Sequence, residues 1–208
     1  MWKTARVELK FSGRLCGSVP LSKEIIDDWL EARMPKNKPE DGKSLEEIKQ
    51  EVLQSIENIE EKVTLGFQQN GAGLVIRGGT IKAHLKDCAN QIKDVIKPGI
   101  KAFRSKIANK VYIDEYFIHL KKNGSPLMEV DGEFDQPVHV MTAMGPRNAL
   151  KKIRYLQCPE IEFTMKVLTD KEVGEEVIEK IFEYGSIHGY GGERGMGEGR
   201  YSFQIEWQ

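Results

Sequence analysis

Both ends of this chain carry the same two-residue period. In residues 4–12, "TARVELKFS", Ala5, Val7, Leu9 and Phe11 fall on one face and Thr4, Arg6, Glu8, Lys10 and Ser12 on the other. In the last eight residues Tyr201, Phe203, Ile205 and Trp207 alternate with Ser202, Gln204, Glu206 and Gln208. Successive side chains of a strand point to opposite faces, so each stretch predicts a strand buried on one side only. Such strands belong to an antiparallel sheet with one covered face, and the matching ends predict that the first and last strands lie in one sheet. Whatever comes between must leave that sheet and return to it.

Between the ends the period changes. Ser22 caps a short helix to Leu30 with Ile25, Ile26, Trp29 and Leu30 on one side, and residues 34–43, "MPKNKPEDGK", form a polar linker. Ser44 and Glu47 make a capping box for a helix to about Glu61 that carries Leu45, Ile48, Val52, Ile56 and Ile59. Residues 21–61 thus read as a helical insertion facing a partner. Residues 62–68 and 74–76 predict strands around the turn "QNGAG", where Asn-Gly supplies positive φ. A helix follows Gly78-Gly79, starting at Thr80, with Ile81, Leu85, Cys88, Ile92 and Val95 at helical spacing and Pro98-Gly99 as its stop. A further short helix is expected to about Ala108.

Residues 110–120, 127–130 and 137–142 predict strands of a β-rich insertion over 110–145, and 145–168 holds two more strand-like pieces. Asp170 is the expected cap of the last helix, Val173, Val177, Ile178 and Ile181 its buried stripe, and Gly185 its stop. With the insertions set aside the order is β-α-β-β-α-β. That predicts a single α+β domain over 1–208, a ferredoxin-like (RRM-like) core with a helical insertion and extra β-hairpins.

The totals exclude several classes. At 208 residues and 39% apolar before its 20 glycines are counted, the chain has the composition of a folded domain. No apolar run reaches the roughly 18 residues of a membrane helix, and the first residues lack a signal-peptide core, so the chain reads as soluble and cytoplasmic with no membrane partner. Cys16, Cys88 and Cys158 are odd in number and lack CxxC spacing, and read as buried thiols. His84, His119, His139 and His188 form no HxH or HxxxH pattern, so neither metal nor cofactor is expected. The carboxylate pairs Asp27-Asp28, Asp114-Glu115 and Asp131/Asp135 read as solvated surface.

Six of the 20 glycines fall within twelve residues, "GYGGERGMGEGR": Gly189, Gly191, Gly192, Gly195, Gly197 and Gly199. A dinucleotide fingerprint fails here, because Arg194 stands where GxGxxG needs its last glycine and a strand follows where a helix should. Gly-Lys-Ser/Thr is absent too. What remains is a loop whose backbone approaches something closely, bracketed by Arg194 and Arg200. At the first helix, Arg77 marks the entrance and Lys82, Lys86 and Lys93 line the outer face.

In the expected sandwich these two segments converge. If the ligand is RNA, as the resemblance described next implies, loop N–H groups with Arg77, Thr80, Lys82, Lys86, Arg194 and Arg200 would hold its phosphates, while Tyr190 or His188 stacks on a base. His188 could also act as a general acid or base. With 31 basic against 32 acidic residues, bulk charge does not draw the chain to nucleic acid, and any binding rests on a local patch.

The ending "YGGERGMGEGRYSFQI" resembles the glycine-rich loop and final strand of the RAMP superfamily of CRISPR-associated proteins, most closely the backbone subunits of type III effector complexes. The segment "LVIRGGTIKAHLKDC" (74–88) is similar to the family's strand, turn and first helix, with Thr80 and Lys82 at the small-residue and lysine positions. "GPRNALKKIRYLQCPEIEFTMKVL" looks like its arginine-containing loop and alternating strand. The turn before Lys82 departs from the family's more usual Pro-Gly-Ser-Ser, residues 21–61 match no thumb or lid, and the aspartate with which some relatives cut RNA is not carried over to Asp27 or Asp28. The resemblance implies a non-catalytic protein of antiviral defence, with single-stranded RNA as ligand and with protein partners or self-assembly. Two other readings stay open: an interaction module of a mobile element that self-assembles or imitates an effector subunit, and an endoribonuclease using His188.

Overall fold

The computed structural model describes residues 1–21, 64–96, 100–142 and 145–208. Apart from Leu21, the expected helical insertion with Asp27 and Asp28 lies outside the described residues, as does the Pro98-Gly99 stop.

Strand β1 (Trp2–Phe11) runs through the middle of the main sheet. The last strand, here β14 (Tyr201–Trp207), pairs antiparallel along one of its edges, from Ala5 opposite Trp207 to Phe11 opposite Tyr201. Along the other edge lies β13 (Glu160–Leu168), also antiparallel, and β13 in turn takes β7 (Val111–Ile113). The order is β14-β1-β13-β7, and the two ends of the chain are neighbours as their shared alternation requires.

The period-2 pattern decides which face is covered. Ala5, Val7 and Leu9 are fully buried and sit opposite Met165, Phe163 and Ile161, themselves buried. Two helices close this face: α1 (Gly78–Ile96), through Ile81, Leu85, Cys88, Ala89 and Ile92, and α3 (Glu175–His188), through Ile178, Ile181 and Phe182. A short α2 (Phe103–Lys110) adds Phe103 and Ile107 to the same core. Burying each such side chain contributes about 1.5–3 kcal/mol, so this one cluster dominates the stability. On the uncovered face ion pairs run along the sheet: Arg6 with Glu162 at 2.6 Å, Lys10 with Glu8 at 3.1 Å and Lys166 with Asp114 at 2.7 Å.

A second sheet is built on the hairpin of β11 (Gly132–Thr142) and β12 (Gly145–Gln157). Strand β12 also pairs antiparallel with β2 (Arg14–Cys16) and parallel with β4 (Thr64–Gly66), which takes β3 (Val19–Pro20). A third, small sheet joins β5 (Gln68–Asn70), β6 (Gly73–Arg77) and β8 (Phe117–His119), with the Asn-Gly turn between β5 and β6 as expected. Two short strands, β9 (Lys121–Lys122) and β10 (Ser125–Pro126), extend the main sheet at β13.

Several local expectations are corrected. Residues 127–130 are not a strand, whereas β11 runs straight through the supposed turn "DGEFDQP". Asp131 accepts the Gln157 N–H at 2.7 Å, and Pro137 is tolerated because, among the described residues, β11 is an edge strand whose outer N–H groups need no ladder partner. The expected strand 110–120 breaks into β7 and β8 where the Glu115 carboxylate turns to accept the Thr164 N–H at 2.8 Å. Helix α1 begins at Gly78, whose N–H bonds Tyr116 O at 3.0 Å, two residues earlier than Thr80.

Asp170 does not cap α3 directly. It accepts the N–H groups of Glu172 and Val173 in the preceding turn, and Lys110 together with those bonds holds its carboxyl well below the usual carboxylate range. Gly185 is no stop either: it is buried inside α3, where a Cβ would collide with the Tyr201 hydroxyl, and the helix runs on to His188. Cys16 and Cys88 are buried, but Cys158 is exposed, on the turn between β12 and β13. No helix among the described residues is long and apolar enough to cross a membrane.

Candidate nucleic-acid interface

Between α3 and β14 the glycine-rich segment folds back on itself and onto β2. The Tyr190 N–H donates to Gly199 O, Gly199 N–H to Arg14 O and Gly192 N–H to Cys16 O, each at 2.9 Å. A single 3-10 turn, Arg194–Met196, closes with the Gly197 N–H on Arg194 O. Gly199 has φ +74°, and a Cβ there would collide with the Tyr190 carbonyl; at Gly191, φ +88°, it would lie 2.8 Å from Cys16 O. The glycines therefore let the loop press against its own chain. This corrects the expectation that its backbone donors face a ligand, since those of Tyr190, Gly192, Gly197 and Gly199 already bond protein carbonyls.

Tyr190 is corrected as well. Its side chain is 7% exposed, edge-on to His84 at 5.4 Å, and cannot stack on a base. Its hydroxyl is 2.5 Å from Thr80 Oγ1, and because Thr80 donates its own hydrogen to Arg77 O at 2.7 Å, the phenol is the donor. Burial pushes the Tyr190 phenol up to about 12. Tyr190 thus ties the loop to the entrance of α1.

About two turns further along α1, Asp87 gathers the next two expected residues. Arg194 Nη1 is 3.2 Å from Asp87 Oδ2 and 3.0 Å from His188 Nε2, which is itself 3.4 Å from Asp87. The His188 ring stacks on Tyr184 with centroids 5.3 Å apart. Arg194 and His188 therefore lock the loop to α1. Lys82 and Lys86 lie elsewhere, roughly 120–160° around the helix from Thr80 and His84 at 100° per residue. The Lys82 ammonium sits 4.1 Å from the Tyr112 ring centroid, and burial, with Lys86 nearby, lowers its pKa. Arg77 donates from Nε to Gln68 Oε1 at 3.1 Å and lies 5.6 Å from the Tyr116 ring centroid. Arg77, Lys86 and Arg200 make no ion pair among the described residues.

The expected residues thus divide into three groups. Arg77, Thr80, Tyr190 and Gly191 meet at a cleft of about 70 Å³ that also takes in Leu15, Cys16 and Gln68. Arg194 and His188 form the lock at Asp87. Lys82, Lys86 and Arg200 stand apart from both.

The sequence reading passed over three anchors. His84 is 5% exposed, with Nε2 2.9 Å from the Tyr201 hydroxyl and its ring beside Cys88. Burial, reinforced by Arg194 and His188, brings its pKa down to about 4. Its place beside Leu85 and one turn before Cys88 on the apolar stripe of α1 was the available signal. Arg14 pairs with Glu198 in the loop while lying 4.9 Å from the Phe134 ring centroid, and Lys151 of β12 pairs with Glu193. These pairs bind the β11–β12 hairpin to the loop, and no local pattern announces them. Among the described residues no group of three or more His, Cys, Asp or Glu side chains could hold a metal.

No family model and no curated protein matches the chain. Two solved structures to which it is similar are CRISPR assemblies. A chain of the type III-B Cmr-beta bound to cognate target RNA, seen by cryo-electron microscopy, gives a TM-score of 0.47 at 11% identity over 99% of this chain. A chain of a type IV-B CRISPR complex gives 0.45 at 8% identity, over 98% of this chain and 90% of that one. This chain spans 60% of the length of the type III-B chain.

Proposed function

We propose that this chain is a RAMP-like domain over 1–208 that binds single-stranded RNA without cutting it, as a subunit or relative of a CRISPR effector backbone. The sequence resemblance of the loop and of the α1 entrance supports this reading. The main sheet, in the order β14-β1-β13-β7 with α1 and α3 on one face, supports a ferredoxin-like core in this reading. The observation that carries the proposal is the meeting of the α1 entrance and the glycine-rich loop, with Thr80 and Tyr190 in hydrogen-bond contact and Arg77 on the wall of the cleft between them.

In this reading Arg77, Lys82, Lys86 and Arg200 contact phosphates, and Arg194 and His188 shape the loop without touching RNA. The uncovered sheet face, crossed by ion pairs, contributes little. Fluorescence anisotropy with labelled single-stranded RNA at low salt tests the proposal. Wild type should bind, and the combined change Lys82→Ala, Lys86→Ala and Arg200→Ala should weaken binding to every sequence alike. No affinity for any single-stranded RNA overturns the reading.

One observation favours assembly with a protein. Among the described residues β11 is a long edge strand, an open row of backbone donors and acceptors to which another chain can pair. A light-scattering mass above that of the monomer in the absence of RNA is the expected sign of it.

A further inference from the structure

Gln68 is 2% exposed and lines the same cleft as Arg77 and Tyr190. A guanidinium can only donate, so the Arg77 Nε–H fixes which end of the Gln68 amide faces it: Oε1 accepts at 3.1 Å. The other end, Nε2, is buried without a hydrogen-bond partner among the described residues. Leaving such a donor unpaired costs about 1–3 kcal/mol, which an apolar side chain of similar shape would avoid. A donor held there at that cost, on a residue that lines a cleft, marks a place for an acceptor that arrives from outside. Beside it Arg77 has Nη groups to offer, and Arg77 also faces the ring of Tyr116, which is 56% exposed.

We propose that this cleft receives a base of the bound RNA that presents a carbonyl edge, such as uracil. Gln68 Nε2–H donates to the base oxygen, the Arg77 guanidinium holds the adjoining phosphate, and Tyr116 offers its face to the neighbouring base. Adenine, with an amino group where a carbonyl is needed, meets donor with donor. The inference rests on the RNA-binding reading above and assigns Gln68 and Tyr116, neither of which the sequence singles out, as base contacts.

The test is anisotropy on the full chain with labelled oligouridylate and oligoadenylate, comparing wild type, Gln68→Leu and Tyr116→Ala. Wild type should prefer oligouridylate. Gln68→Leu should lose about tenfold on oligouridylate, the worth of one good hydrogen bond in a buried site, and change little on oligoadenylate. Because Gln68→Leu loses the Arg77 bond but also removes the buried unpaired Nε2 donor, its melting temperature should stay within a few degrees of wild type, which separates a lost contact from a lost fold. Tyr116→Ala should weaken both oligonucleotides. Equal wild-type affinity for the two, or Gln68→Leu binding oligouridylate like wild type, overturns the base site and leaves the RNA-binding reading standing. Binding to neither oligonucleotide overturns both.

Discussion

His84 is the residue whose burial has the most measurable consequence. Its folded pKa of about 4 lies below the 6.5 of an unperturbed imidazole, so the unfolded chain takes up this proton first as pH falls. The stability that neutral His84 contributes is complete above pH 6.5 and is lost progressively between pH 6.5 and 4. A shift of this size corresponds to roughly 3 kcal/mol. Urea unfolding across that range should show the midpoint falling, and His84→Gln should flatten most of the fall. His84 was hidden in the sequence because a histidine on an apolar stripe has no local mark of its role; its partner Tyr201 lies 117 residues away.

At the scale of elements, the loop between α3 and β14 holds the helices, β2 and the hairpin in register. Gly199→Ala should destabilise the fold by about 1–3 kcal/mol from its left-handed backbone alone, and by more once the Tyr190 carbonyl has to move. Gly195→Ala, where a Cβ meets nothing within 4 Å, should stay within about 0.5 kcal/mol of wild type. Thermal melts of the two variants check both.

The sequence made β1, β13 and β14 legible because a two-residue period is a local property of a strand buried on one side. The register of the glycines also ruled out a nucleotide fingerprint. What the loop rests on was not legible, since Cys16 and Arg14 are far away in the chain. For the same reason a tyrosine among glycines read as an exposed stacking residue when it is a buried strut. Edge position, which makes Pro137 acceptable in β11, is likewise a property of the finished sheet.

For the whole molecule the near balance of charge, −1 at pH 7, sets the terms on which RNA can bind. Most cations near the loop already face carboxylates: Arg14 meets Glu198, Lys151 meets Glu193 and Arg194 meets Asp87. If Arg77, Lys82, Lys86 and Arg200 are the phosphate contacts, the logarithm of affinity should fall against the logarithm of salt with a slope of about −3, from 0.7 per phosphate on a single strand. Anisotropy between 50 and 200 mM salt measures it, and a slope beyond about −5 would require cations outside this set. The antiparallel sheet with helices on one face followed from the sequence; the division of its basic residues among three places did not, because helical spacing gives the angle between two lysines and says nothing of what a distant tyrosine will cover. Cys158 leaves the chain with a practical asymmetry. Burial pushes the Cys16 thiol up to about 11 and the Cys88 thiol up to about 12, while Cys158 alone stands open on a turn that forms no part of the cleft. The unaltered chain thus carries one natural attachment point for a fluorophore or a surface tether, from which the loop and the cleft remain free.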